Sequence, residues 1–242
     1  MNDNAMSIFS HLNELKRRLF RVAIVSVIFI AVAVVNFRWI FNEFTAGARE
    51  LIEAAGGDIV QLTLTEAWVA AAKLAVMVGL TAALPYFLFE MSRFFQPGLK
   101  SSERKYVYFL IPGALVSFAI GATFAYLILI PRLFEFMLEF QGNLAVPTIT
   151  TASVVSMTVG IVFWLGTIFE LPIVMYLLAK IGLIKSKWIM SKIRWMILLA
   201  FVFGAAVTPT DPISQVIVAI PVMALFGIGL LLVKLAERGR NE

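Results

Sequence analysis

The chain has 242 residues, of which 61% are hydrophobic and 14% charged, and its mean hydropathy is +0.92. A water-soluble protein of 26.8 kDa cannot hide that much apolar surface in one core, so the composition places the chain in a bilayer. With no Cys, disulfides and thiol nucleophiles are out of reach, one His leaves little for a histidine metal site or a Ser-His triad, and the net charge of +5 reads as basic membrane loops, not a nucleic-acid interface.

A membrane span takes roughly 20 predominantly apolar residues. On that measure the sequence predicts an all-α, polytopic membrane protein with six spans, at about 22–41, 67–89, 106–130, 152–179, 195–210 and 213–233, forming a single integral membrane domain over 1–242. Ahead of the first span, Ile8, Leu12, Leu15 and Leu19 share one helical face. His11, Glu14, Arg18 and Arg21 share the other, which predicts an amphipathic helix at the membrane surface. An i,i+4 pair with Arg18 accounts for Glu14 by itself, and the charge bias of cytoplasmic segments accounts for Arg17 and Arg18. A basic tail before an apolar run, with Ala31-Val32-Ala33 inside it, also has the form of a secretory signal peptide. Because the run continues through Val35 and further spans follow, the first helix is read as retained.

After the first span, Phe41, Phe44, Ala48, Leu51 and Ile52 recur at three- and four-residue steps, predicting a short amphipathic helix on the outer surface. Ala54-Ala55-Gly56-Gly57-Asp58 is its stop. Lys73, near the start of the second span, can snorkel toward a headgroup layer. Glu103 opens the third helix, where the helix dipole favours a negative charge.

Glu170 lies about two-thirds along the fourth span. An acidic residue at the centre of a span costs roughly 2.5–3.5 kcal/mol on insertion scales, so it faces a cavity or partner, or is neutral and hydrogen-bonded to a neighbouring helix. Pro172, two residues on, removes a backbone donor and predicts a kink. The fifth span, at about 16 residues, reaches only about 24 Å of a ~30 Å hydrocarbon core. Thr208-Pro209-Thr210-Asp211-Pro212 joins the last two helices as a tight turn, with Asp211 a good N-cap and Pro212 suited to the first turn. Gln215 can hydrogen-bond across helices.

Most of the 20 Lys and Arg fall in the N-terminal tail, the second-to-third and fourth-to-fifth loops and the C-terminal tail. Both termini are therefore predicted to be cytoplasmic. No internal repeat stands out, which weighs against an inverted-repeat transporter. Left unexplained are two lone carboxylates, Glu14 and Glu103, on the basic face.

The residues that break the apolar pattern resemble those of a known family. His11-Leu12-Asn13-Glu14-Leu15-Lys16-Arg17-Arg18 is similar to the N-terminal motif of TatC, the multi-spanning receptor of the twin-arginine protein translocase. Phe94, Pro97, Leu99 and Glu103 resemble its first cytoplasmic loop, and Phe169-Glu170-Leu171-Pro172 its fourth-helix element. Thr208-Pro209-Thr210-Asp211, Ser214, Gln215 and Ala219-Ile220-Pro221 resemble its last hairpin. The likeness runs from about Ile8 to Val233.

The resemblance implies a non-enzymatic core receptor in the cytoplasmic (inner) membrane. It binds twin-arginine signal peptides of folded cargo proteins for export driven by the proton-motive force, with no cofactor or metal. Planar guanidinium groups ask for carboxylates that accept paired hydrogen bonds. By the family pattern Glu14 and Glu103 supply them, with Phe94, Lys16 and Arg17 in the same patch. Glu170 is implied to face an intramembrane groove. Thr208, Asp211 and Gln215 are implied to contact TatA- and TatB-type single-span partners, and self-association is expected. Lys16 stands where the family commonly has Arg, Ser92 replaces an aromatic residue, and Gly47 stands where Pro is frequent; Gly98 takes the place of Ala, and Gly227 that of a Glu found in some relatives. A different class, a proton-coupled small-solute transporter using Glu170 and Asp211 as carriers, explains the buried acid but not the cytoplasmic carboxylates. An intramembrane enzyme is a more distant alternative, because no convincing nucleophile–base pair lies in the spans.

Overall fold

The computed structural model describes residues 3–95, 101–141, 148–180, 182–208 and 212–241, and their side chains apart from those of 3–11, 92, 95, 101–111, 141 and 239–241. The predicted surface helix and first span are one helix, α1 (Asp3–Val35). It stops at Asn36, whose side-chain amide donates to the Val32 carbonyl at 2.8 Å. The first span therefore ends at Val35 and not near residue 41. The next helix, α2 (Phe37–Ala54), is the predicted amphipathic one, burying Ile40, Thr45, Ala48 and Ile52. Gly56, at φ +74°, ends that segment in a conformation open to glycine.

A feature the all-α expectation missed follows. Strand β1 (Asp58–Val60) pairs in parallel with β2 (Thr148–Thr150), in the register Asp58–Thr148, Ile59–Ile149, Val60–Thr150. Three-residue strands carry no periodicity that a sequence reading can use. Glu66, the first residue of α3 (Glu66–Phe95), fastens this sheet. Its carboxylate accepts the Leu62 N–H and the Ala152 N–H, each at 2.9 Å. Glu66→Ala is expected to lower the thermal midpoint of the purified protein, whereas Glu66→Gln, which keeps one acceptor, costs less; equal melting of both variants and the parent is the contrary result.

The third span is longer than predicted. α4 (Ser101–Phe124) passes through a π-helical turn (Ala125–Leu129) into α5 (Ile130–Gln141). Arg132, Glu135 and Glu139, which lie beyond the predicted end of the third span at residue 130, are on this helix, where Arg132 pairs with Glu135 at 3.3 Å. The helix continues because Ile130, Leu133 and Phe134 are buried in one cluster with Ile52, Val154, Ile161 and Leu165. The fourth span is interrupted at Glu170, between α6 (Thr151–Phe169) and α7 (Leu171–Lys180), in the turn before Pro172 where the missing proline N–H opens the helix. At this break the Ser117 hydroxyl of α4 donates to the Phe169 carbonyl at 2.6 Å, satisfying backbone where the helix is interrupted.

The short α8 (Ser186–Ser191) leads into α9 (Ile193–Val207) and α10 (Pro212–Asn241). Glu237 of α10 accepts both the Ser186 N–H and its hydroxyl, tying α8 to the end of the last helix. Among the described residues, five stretches are long and apolar enough to cross a membrane: Leu12–Val35, Glu66–Met91, Pro112–Phe140, Thr151–Lys180 and Pro212–Arg238. Ile193–Val207 is apolar but shorter, which matches the predicted short fifth span.

Helix α1 packs along α3, α6 packs against both α3 and α4, and α10 packs against α7 and α9. Bilayer lipid offers little hydrophobic drive between helices, so close approach at small residues carries much of this packing. Trp39 and Trp68 are exposed at the α1–α2 junction and the start of α3, and Trp188 and Trp195 on α8 and early α9. Amphipathic indoles at helix ends are typical anchors at the headgroup level.

Candidate functional site

The C-terminal end of α3 and the N-terminal half of α1 meet in a cluster of charged side chains. Spacing places it there: Glu14, Arg18 and Arg21 recur at four- and three-residue steps on α1, and Tyr86 and Glu90 are one turn apart on α3. All three guanidinium nitrogens of Arg18 have carboxylate partners. Nε donates to Glu14 Oε1 at 3.1 Å, Nη2 donates to the same oxygen, and Nη1 donates to Glu90 Oε2 at 3.0 Å. The remaining oxygen of Glu90 accepts the Tyr86 hydroxyl at 3.0 Å and lies 3.6 Å from Arg21 Nη1.

The two carboxylates differ in access. Glu90 has 3% of its side-chain surface exposed and Arg18 14%, whereas Glu14 has 38%. Arg18 therefore bridges a closed acid and an open one. A charged, forked hydrogen-bond arrangement of this kind is strong and geometrically selective, because a guanidinium offers several donors in one plane. Phe94 lies one turn beyond Glu90 on α3, and the Arg93 guanidinium stands 5.5 Å from the centre of the Phe89 ring.

Of the residues singled out in the sequence, Glu14 is in this cluster and Phe94 is next to it along α3. Lys16 and Arg17 are exposed on α1. Glu103 is the third residue of α4, but its side chain lies outside the described residues, as does Asp211 altogether.

Glu170 is buried at the α6–α7 break, and its Oε1 has no hydrogen-bond partner among the described residues. Beside it, Ile168 and Leu171 line an apolar groove of ≈ 610 Å³ shared with Met196 and Phe203 of α9 and Met223 and Phe226 of α10. Thr208 ends α9, its hydroxyl donating to the Gly204 carbonyl at 2.8 Å. The Gln215 amide donates to the Phe201 carbonyl at 2.8 Å, bonding α10 to α9 as its position predicted.

Glu90 is the residue that sequence reasoning missed. The second span was ended at Phe89, which left Glu90 at a boundary and unweighed. The available signal was the four-residue spacing of Tyr86, Glu90 and Phe94, which puts an acid on the face that carries an aromatic residue on either side.

Comparison with known proteins bears on this site. The profile described as "Sec-independent protein translocase protein (TatC)" matches residues 10–221. The chain is 33% identical over 241 residues to the protein of that name from Aquifex aeolicus, covering 98% of each. It is 30% identical over 236 residues to the one from Carboxydothermus hydrogenoformans, covering 97% of this chain and 95% of that one. A solved structure described as the twin arginine translocase receptor TatC superposes with a TM-score of 0.86 at 33% identity, covering 93% of this chain and 99% of that one.

Proposed function

This chain belongs to the TatC family of Sec-independent protein translocase proteins, and from that premise we propose that it is the membrane receptor that binds twin-arginine signal peptides. The observation that carries the reading is the Arg18 guanidinium seated between Glu14 and Glu90. A protein surface that holds one arginine on a half-open carboxylate has the chemistry to hold another.

In this reading α9 completes six spans, both termini face the cytoplasm, and the cluster is on the cytoplasmic side of the inner membrane. Glu103 supplies a second acceptor for the paired arginines, and Phe94, Lys16 and Arg17 border the patch. The remainder of a signal peptide is predominantly apolar and suits the groove that runs between α7, α9 and α10. TatA- and TatB-type single-span helices dock along the α9–α10 hairpin, near Thr208, Asp211 and Gln215, and Glu170 supplies a polar contact inside the membrane. Export then draws on the proton-motive force, and the chain itself performs no covalent chemistry.

The test is equilibrium binding of a fluorescent twin-arginine signal peptide to the purified full chain, beside a twin-lysine control. Selective binding by the parent is expected, with a loss of at least about tenfold in Glu14→Gln, the scale of one charge-assisted hydrogen-bonded pair. A parent that binds both peptides equally, or a Glu14→Gln variant that binds as the parent does, overturns the assignment.

A further inference from the structure

The apolar groove between α7, α9 and α10 stops well short of crossing a membrane. On α9 it runs from Ile193 to Phe203, and on α10 from Val222 to Leu230. At 1.5 Å per residue the longer wall is about 15 Å, half of a ~30 Å hydrocarbon core. A partner helix that crosses the membrane needs about twice that length. The acyl chains of a lipid fill one leaflet, which is the depth of this groove.

One end of the groove is basic. Lys192 and Arg194 flank Ile193 at the start of α9, and Lys234 lies one turn beyond Leu230 on α10. All three are exposed, and none has an acidic partner among the described residues. Glu237, the acid of α10, is engaged by Ser186, whose N–H and hydroxyl it accepts. The positive end of the α9 dipole adds to the three cations. Trp188 and Trp195 are exposed beside them, as indoles at the headgroup level are.

We propose that the groove is a binding site for an anionic phospholipid of the leaflet on the side of the C-terminus: Lys192, Arg194 and Lys234 hold its phosphate, and the groove takes its acyl chains. The charge bias of cytoplasmic segments accounts for basic residues in this connection, but not for their place at the end of an apolar groove one leaflet deep. Basic pockets between spanning helices hold anionic headgroups through the same combination of charge and apolar wall. The lipid site does not depend on the receptor reading. Where that reading also holds, the apolar part of a signal peptide enters the groove by displacing the lipid chains.

The experiment measures binding of fluorescent phosphatidylglycerol, and of phosphatidylcholine with the same chains, to the purified full chain in a nonionic detergent. The parent is expected to prefer phosphatidylglycerol by at least about tenfold, since each cation at a headgroup contributes about fivefold. The triple variant Lys192→Gln/Arg194→Gln/Lys234→Gln is expected to keep a preference of less than about twofold. Arg38→Gln/Arg49→Gln/Arg132→Gln makes the same change in net charge on α2 and α5, away from the groove, and is expected to bind as the parent does. Gly227 lines the groove, and a Cβ added there meets nothing within 4 Å, so Gly227→Leu fills the groove without a clash. It is expected to weaken both lipids at least about threefold and to leave the preference between them. Thermal unfolding checks that each variant is folded, and Met223→Phe on the same wall replaces Gly227→Leu if that protein is not.

Equal affinity of the parent for the two lipids, a preference kept by the groove-end triple variant, or a preference lost as fully in the α2 and α5 control overturns the headgroup site. A folded groove-filling variant that binds both lipids as the parent does overturns the groove as the place of the chains. The assay contains no peptide, so its failure leaves the receptor reading standing.

Discussion

Gly79→Val is expected to unfold or strongly loosen the junction of α1 and α3, with a drop of about 3 kcal/mol or more, at the upper end of the range for overpacked interiors. A Cβ at residue 79 would lie 2.5 Å from Ile30 Cγ1 and 2.6 Å from both Ile30 Cα and its backbone nitrogen. Side-chain atoms can rotate away from such an intrusion, but backbone atoms cannot. Relief requires α1 to move off α3, and this is the most extensive helix pairing among the described residues. Because the same pairing aligns Arg18 with Glu90, the variant should also lose twin-arginine peptide binding. Gly79→Ala shares the clash and differs only in severity. The control is Gly47→Ala on α2, where an added Cβ meets nothing within 4 Å and a helical glycine is replaced by a better helix former. It is expected to gain about 0.5–1 kcal/mol. Thermal unfolding of the three variants in one detergent checks the pair; a Gly79→Val protein that melts with the parent removes the close-packing account of α1 and α3.

Much of the fold was legible because long apolar runs and basic interruptions report directly on the bilayer. The amphipathic α2 was readable from its spacing, and so were the shortness of α9 and the bend in the fourth span. What failed were boundaries where tertiary contacts override hydropathy. α5 carries Arg132, Glu135 and Glu139, so a hydropathy reading ends the span too early, yet Leu133 and Phe134 bury against Ile52 and hold the helix to Gln141. β1 and β2 were invisible, because their pairing joins segments 90 positions apart in the register Asp58–Thr148.

The site divides in a similar way. Glu14 and Arg18 were readable as an i,i+4 pair on a polar helix face, and that pair is present. Its reach to Glu90 was not, because |i−j| is 72 and nothing local in either helix predicts which acid an arginine will find. Family motifs drew attention to Glu14 and Phe94 but passed over Glu90, which shares Arg18 with Glu14. Thr208 and Gln215 were readable as polar groups near the hairpin. The structure adds that both donate to carbonyls of α9.

The second large effect expected is from Glu90→Leu, which is near in volume but removes every acceptor that the closed side of the cluster supplies. Arg18 Nη1 and the Tyr86 hydroxyl lose their acceptor, and Arg21 loses a carboxylate at 3.6 Å. Removing one partner of a buried pair leaves the other charge without compensation at a cost of about 3–5 kcal/mol; Arg18 keeps Glu14, so about 2–3 kcal/mol is expected here. Glu90→Gln keeps an acceptor oxygen for Tyr86 or Arg18 and loses only the charge, so it should cost about 1 kcal/mol. The loss in Glu90→Leu should vary little between low and moderate salt, because screening acts mainly on exposed pairs. Glu14→Gln gives the opposite profile. With 38% of its side chain exposed, Glu14 contributes little to stability and most of the open acceptor surface for a ligand. Unfolding in graded denaturant, run beside peptide binding, therefore separates the two acids: Glu90→Leu lowers stability first, and Glu14→Gln lowers binding first. If Glu14→Gln proves the more destabilising of the two, the cluster's closed and open sides have been assigned the wrong way round.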